Sequence, residues 1–298
     1  MSELIQNVVD GLGRGSTYAL FALGISLMFG VMHLVNFAHG ELLTVAAYTT
    51  YFLSTRGVGW WGAIPVMIAA AVLASVGTER VAFRRVRGAS AFTLLLTSFA
   101  VETLAHALWQ IGVSAKIRQF PKPSFAFNTV ELGGIRFEVM DLVTILVTIL
   151  VLAGTVWVFR RTMFGLAVRG AAEDFDAARL MGVRANRVIS GAFAFAGLLA
   201  GIATCLIVMR QPAAEPAMGS DWLLKAVIAA VIGGLGSFTG AVLGGLALGL
   251  METFTRSYLP DVSQGLDRFA TGVVFIIVAI FFVVRPSGLF KVESAERV

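Results

Sequence analysis

The sequence predicts an all-α fold: a polytopic transmembrane helical bundle of about eight to nine spans, two of them short or broken. Three observations predict it. Of 298 residues, 57% are hydrophobic and 14% charged, whereas a soluble domain carries roughly 25% charged residues. The mean hydropathy is +0.84. The apolar residues form continuous runs, not the short alternating segments of a membrane β-barrel. The 23 Lys and Arg, against 18 Asp and Glu, gather between the runs. The positive-inside rule explains that placement, so the net charge of +5 does not call for nucleic acid as a partner.

The apolar segments are 12–33, 41–53, 61–78, 92–112, 142–159, 188–208, 223–235, 238–254 and 267–284. MSELIQNVVDG has no basic n-region, so insertion is expected to use the first apolar helix rather than a cleaved signal. Basic residues crowd 79–91, 160–187 and the stretch after Arg285, which are therefore expected in the cytoplasm together with the C-terminus. The segments 113–141 and 209–222 are then external; Gly133-Gly134 and two X-Pro steps favour turns there. With nine crossings the N-terminus falls outside.

Segments 41–53 and 223–235 reach about 20 Å, short of a hydrocarbon core of about 30 Å. Both adjoin glycine, at Gly40 and at Gly233, Gly234 and Gly236. Such segments in matching positions of two halves mark the path in transporters built from repeats. The chain is accordingly read as a single transmembrane domain, with a first half at 12–112 and a second at 188–284 that begins on the opposite side. Two re-entrant hairpins without symmetry would give the same pattern.

Several polar residues lie within or beside apolar runs. Asn36, His39 and Glu41 either cap helix ends or line a translocation path, because polar groups at that depth need a protein interior or water. One His and one Glu two apart face different sides of a helix, which argues against a metal site. Glu102 and His106, four apart, share a face and are expected to pair; a proton relay is the alternative. Glu252 is expected to reach the interface or the glycine-rich turn. Cys205, the one cysteine, reads as a small packing residue. The glycines from Gly233 to Gly245 suit close helix packing, and the GSFTG turn could offer backbone groups to a ligand.

In the loop 160–187, Glu173 or Asp174 begins a short helix and Gly182 ends it. Ala177, Ala178, Leu180 and Met181 give that helix an apolar face suited to docking a partner. None of the four lysines precedes Ser or Thr, so there is no ordinary P-loop. No nucleophile elbow, zinc spacing or dinucleotide fingerprint occurs. The reading is of a non-enzyme with no metal and no cofactor.

The run GSTYALFALGISLMFGVMHLVNFAHGELLTVAAY resembles the opening of the LivH-type permeases. The likeness continues at ERVAFRRVRG (79–88), FGLAVRGAAEDFDAARLMGVRANRVI (164–189), AVIGGLGSFTGAVLGGLALGLMETF (230–254) and RPSGLF (285–290). The resemblance implies a membrane subunit of an ABC importer for branched-chain amino acids or a related small solute such as urea, an amide or an aromatic acid. It implies two cytoplasmic ATPase subunits, a second related permease chain (unlike halves favoured over a homodimer) and a periplasmic solute-binding protein. The setting would be the bacterial inner membrane. Glu173 followed by Gly182 resembles the coupling motif of such permeases, although RVISGAF stands where that motif's usual tail would follow. Asn36, His39, Glu41, Gly233, Gly234 and Gly236 would line the path, which need hold solute only weakly. The other function classes are an ion-coupled secondary transporter using Glu102 and His106, and a passive channel.

Overall fold

The computed structural model describes residues 2–33, 35–123, 129–132, 135–262, 270–285 and 288–289. The expected turn at Gly133-Gly134, the start of segment 267–284, parts of the RPSGLF stretch and the chain beyond Leu289 lie outside the described residues. Every apolar run appears as a helix. In order these are α1 (Ser2–Met32), α2 (His39–Thr55), α3 (Trp60–Thr78), which continues through a π-helical turn (Glu79–Phe83) into α4 (Arg84–Val86), and α5 (Ala91–Gly112). There follow α6 (Val139–Arg161), α7 (Met163–Glu173), α8 (Phe175–Leu180), α9 (Ala185–Arg210), α10 (Met218–Gly233), α11 (Phe238–Val262) and α12 (Ala270–Val284). The expected short helices are α2 and α10, at 17 and 16 residues.

The short strands β1 (Arg118–Gln119), β2 (Thr129–Leu132), β3 (Ile135–Glu138) and β4 (Ala213–Ala214) form two antiparallel ribbons, β1 with β4 and β2 with β3. The first ribbon ties the loop after α5 to the loop after α9, and Phe120 N donates to Pro212 O at 3.1 Å. The two loops read as lying on one side therefore touch. Trp60 Nε1 bonds Pro121 O at 3.2 Å, and Arg210 pairs with Asp141, so these residues mark one end of the bundle. The other, basic end is pinned by Glu79, a fully buried carboxylate held by Arg84 (3.2 Å), Arg87 and Ser190 (2.7 Å).

The core centres on α1 and α9, which run in opposite directions and touch each other. Helix α1 packs on α11 and α10; α9 packs on α3 and α2. Helices α10 and α11 touch, as do α2 and α3. Exchanging α1, α2 and α3 for α9, α10 and α11 leaves this set of neighbours unchanged. Glycines four apart (Gly11 and Gly15 on α1, Gly197 and Gly201 on α9) make close crossings with α11 and α3. A Cβ at Gly15 would lie 2.7 Å from Leu246 Cα in α11, and one at Gly201 would lie 3.0 Å from Ile68 Cα in α3. Small residues let backbones approach where hydrophobic burial cannot drive helix association.

Several boundaries differ from the sequence reading, among them the end of α11, at Val262 instead of 254. Helix α1 begins ten residues earlier than segment 12–33, because Gly13 seats it against Asp141 and Asn7 bonds Ser257 at 2.9 Å. Helix α10 begins at Met218, where Gly219, Ser220 and Asp221 read locally as loop. The stretch 160–187 holds two helices, and Glu173 ends the first of them. Thr162 starts α7 by accepting from Gly165 N at 3.2 Å.

Candidate functional site: broken helices, a polar cavity and a basic-end elbow

The short helices α2 and α10 start side by side. A Cβ at Gly40 would lie 2.6 Å from Gly219 O, and Gly219 N donates to Thr44 Oγ1 at 3.1 Å. From this point α2 runs towards the Trp60 end. Helix α10 runs towards the basic end, where Phe29 near the end of α1 lies beside Gly236. Asn36 Oδ1 accepts from Ala38 N at 3.1 Å and so bonds the turn that opens α2. His39 is buried and stacks on Phe21 at 5.0 Å, and a Cβ at Gly24 would lie 2.7 Å from its Nε2. Neither ring nitrogen of His39 and neither carboxylate oxygen of Glu41 has a hydrogen-bond partner of good geometry. Asn36, His39 and Glu41 line neither of the two cavities described below.

Gly233, Gly234 and Gly236 close α10. Gly234 and Gly236 take φ +98° and +87°, which side chains rarely adopt. A Cβ at Gly233 would collide with Gly240 O of α11. Leu289 reaches this point: its N donates to Ile232 O at 2.8 Å, satisfying a carbonyl that the helix end leaves free.

The structure corrects the expected Glu102–His106 pair. Glu102 accepts from Ser220 Oγ at 2.6 Å, and His106 Nδ1 meets Pro216 O at 3.1 Å. Both residues fasten α5 to the start of α10 instead of to each other. The reading of Glu252 is also corrected. Buried at 4% exposure, it accepts from Tyr18 Oη of α1, from Lys225 Nζ of α10 at 3.2 Å and from Arg256 at 2.6 Å. Cys205 is buried in the main core, as expected.

This network forms one wall of a cavity of about 740 Å³ between α1, α9, α10, α11 and α12. Its lining holds four cations (Arg14, Arg210, Lys225 and Arg256) and four carboxylates (Glu138, Glu215, Asp221 and Glu252), with Trp222 and Phe275. A smaller cavity of about 200 Å³ lies beside Trp60 and Phe120. The sequence reading passed over Lys225 and Arg14. Their signal was available, since each is a lone cation inside an apolar run, a rare and costly placement.

At the basic end, α7 packs on α6, α9 and α1. Asp174 leaves the helical conformation, and its Oδ1 accepts from Ala177 N at 2.9 Å, capping α8. Ala178 turns inward against Phe175, Val183 and Val188. Leu180 and Met181 point outward, 89% and 84% exposed, and Gly182 turns the chain at φ +83°. The face expected over Ala177, Ala178, Leu180 and Met181 is thus divided, with Ala178 seating the elbow and Leu180 and Met181 forming its tip.

Helices of this length and composition, two short helices that start side by side and a charged cavity between spans define a multi-pass membrane transport protein. The chain belongs to the family of permease components of branched-chain amino acid transport systems, whose family model matches residues 7–279. It is 32% identical to the permease protein BraD of a high-affinity branched-chain amino acid transport system in Pseudomonas aeruginosa, over 99% of this chain and 98% of that protein. It is 29% identical to the permease protein LivH of Escherichia coli K12, over 99% and 97%. Among solved structures, a metal-chelate type ABC transporter in an inward-facing conformation shares 14% identity at a TM-score of 0.49, covering 94% of this chain and 84% of that one.

Proposed function

We propose that this permease is the membrane half of an ATP-driven importer that admits branched-chain amino acids or a closely related small solute. A solute-binding protein delivers the solute at the Trp60 end, which faces the periplasm. The basic end and the C-terminus face the cytoplasm of a bacterial inner membrane. Two ATPase subunits supply the energy, and a second, related permease chain completes the path. The domain reading of two halves joined by an external loop (113–141) and a cytoplasmic coupling loop (160–187) belongs to the same proposal.

The observation that carries this reading is the α8 elbow. Leu180 and Met181 are large apolar side chains held out at the basic end by a capped, seated helix. Exposed apolar side chains on an ordered element suit a protein partner. Glu173 and Asp174 orient the elbow, Ala177 and Gly182 flank its tip, and the movement passes through α7 into α1 and α9. Asn36, His39 and Glu41, with Gly233, Gly234 and Gly236, then act at the two ends of the broken helices as the parts that shift. A two-state element of this kind is biased from both faces.

The test replaces Leu180 and Met181 together by Asp in the complete transporter reconstituted in proteoliposomes. Solute uptake and solute-stimulated ATP hydrolysis are expected to fall by at least about tenfold, the effect of losing roughly 1.4 kcal/mol of contact, while the chain stays inserted. Undiminished stimulation would overturn the docking role.

A further inference from the structure

Helices α5 and α6 present Phe92, Leu96, Leu104, Ile111, Leu146 and Leu150 outward, each more than half exposed. That side suits hydrocarbon. Helix α12 presents Ile276, Ile280, Val283 and Val284 in the same way, whereas the charged cavity is lined by α1, α9, α10, α11 and the first turns of α12, and it lies at depth. Tyr18 lies about 24 Å along α1, near its midpoint, and it touches both Lys225 and Glu252. A charged side chain facing lipid at that depth is costly, so charged groups there face protein or water. The cavity volume falls in the usual range for small-molecule sites.

The charges are also ordered along the wall. The deep cluster joins Lys225 and Arg256 to the single carboxylate of Glu252, leaving one positive charge in surplus. Arg14 on α1 lines the same cavity with no ion-pair partner among the described residues. Asp221 stands one turn before Lys225 on α10, and Glu215 precedes that helix. Trp222 lies within 5.9 Å of Lys225 Nζ, measured to its ring centre, and Phe275 closes the α12 side.

We propose that this cavity is a solute station in the translocation path, built for a small zwitterion with an apolar side chain. Arg256 and Arg14 take the carboxylate, Asp221 takes the ammonium group, and Trp222 with Phe275 take the apolar part. Glu252 is the fixed counter-charge that holds Lys225 and Arg256 in place. The proposal rests on the importer reading for its solute class, and it gives the permease a selectivity of its own, beyond weak passage.

The test uses the complete transporter in proteoliposomes without ATP, with Cys205 replaced by Ala, the accompanying subunits made cysteine-free, and Asp221→Cys or Phe275→Cys introduced singly. A membrane-impermeant charged thiol reagent is expected to modify both positions and to leave a Leu104→Cys control untouched. Leucine is expected to protect Phe275→Cys, with Arg256→Gln raising the half-protecting concentration about tenfold or more, the scale of one charge-assisted hydrogen bond. Acetamide, which lacks both charges, is expected not to protect. Failure of the reagent to reach both cavity positions, or equal protection by leucine and acetamide, would overturn the proposal. ATP-dependent uptake by the unmodified transporter is measured separately, so loss of the importer reading would show there and not in the labelling.

Discussion

Two clusters of polar side chains lie deep in this bundle, and they have opposite surroundings. The one at Asn36–Glu41 is sealed among α1, α5, α9 and α10, and its ring and carboxylate atoms lack good partners. The one at Tyr18, Lys225, Glu252 and Arg256 is richly bonded and opens into a cavity. Polarity in a membrane segment therefore carries two meanings. In the first cluster only Asn36 serves the backbone break, accepting from Ala38 N where α2 starts, while His39 and Glu41 are buried without such a bond. In the second it forms the charged wall of a cavity, where each charge has a partner: Glu252 holds Lys225 and Arg256.

The comparison can be broken most forcefully at the point where the broken helices meet. Gly40→Leu places a Cβ 2.6 Å from the Gly219 carbonyl, and backbone atoms on both sides leave little room to relax. A cost of about 3 kcal/mol or more is expected for overpacking there. The check is loss of monodisperse transporter on size exclusion in detergent. A well-folded variant would mean that the two helix starts are not closely packed.

A middle effect is expected at the open cluster. Glu252→Ala removes the acceptor shared by Tyr18, Lys225 and Arg256. In a sealed site, stranding a charge this way costs about 3–5 kcal/mol. A water-filled cavity would hydrate the stranded cations, and a loss of only roughly 1–2 kcal/mol is then expected, with transport largely lost. Thermal unfolding of the purified transporter beside an uptake assay separates the two quantities. A stability loss as large as the sealed value would show that the cavity is dry.

The smallest effect is expected at the sealed cluster. His39→Phe keeps a flat ring on Phe21 and removes two nitrogens that have no partner. Removing unpaired buried polar atoms is near neutral or favourable, so stability within about 1 kcal/mol of the parent, or above it, is expected. A large drop in melting temperature would reveal a hydrogen bond made in another conformation of the transporter.

The chemistry of single stretches already determined much of this protein. Long apolar runs have to become helices in lipid, since every backbone group must be paired within the segment. The runs therefore mark the helices, the two short segments mark the breaks, and the basic loops mark one end. Asp174 and Gly182 also carry local rules, a cap and a left-handed turn, that bound α8 from sequence alone. Other features arise only when distant pieces meet. Gly219 and Ser220 look like loop until Thr44 and Glu102 bond them, and Glu102 looks poised for His106 until α10 lies alongside. The cavity draws its wall from α1, α9, α10, α11 and α12, so no window of sequence contains it. Pairing a buried charge is a matter of distance in space. The sequence could announce that Lys225 and Glu252 each needed a partner, and only the packing of α1 against α10 and α11 supplied which one.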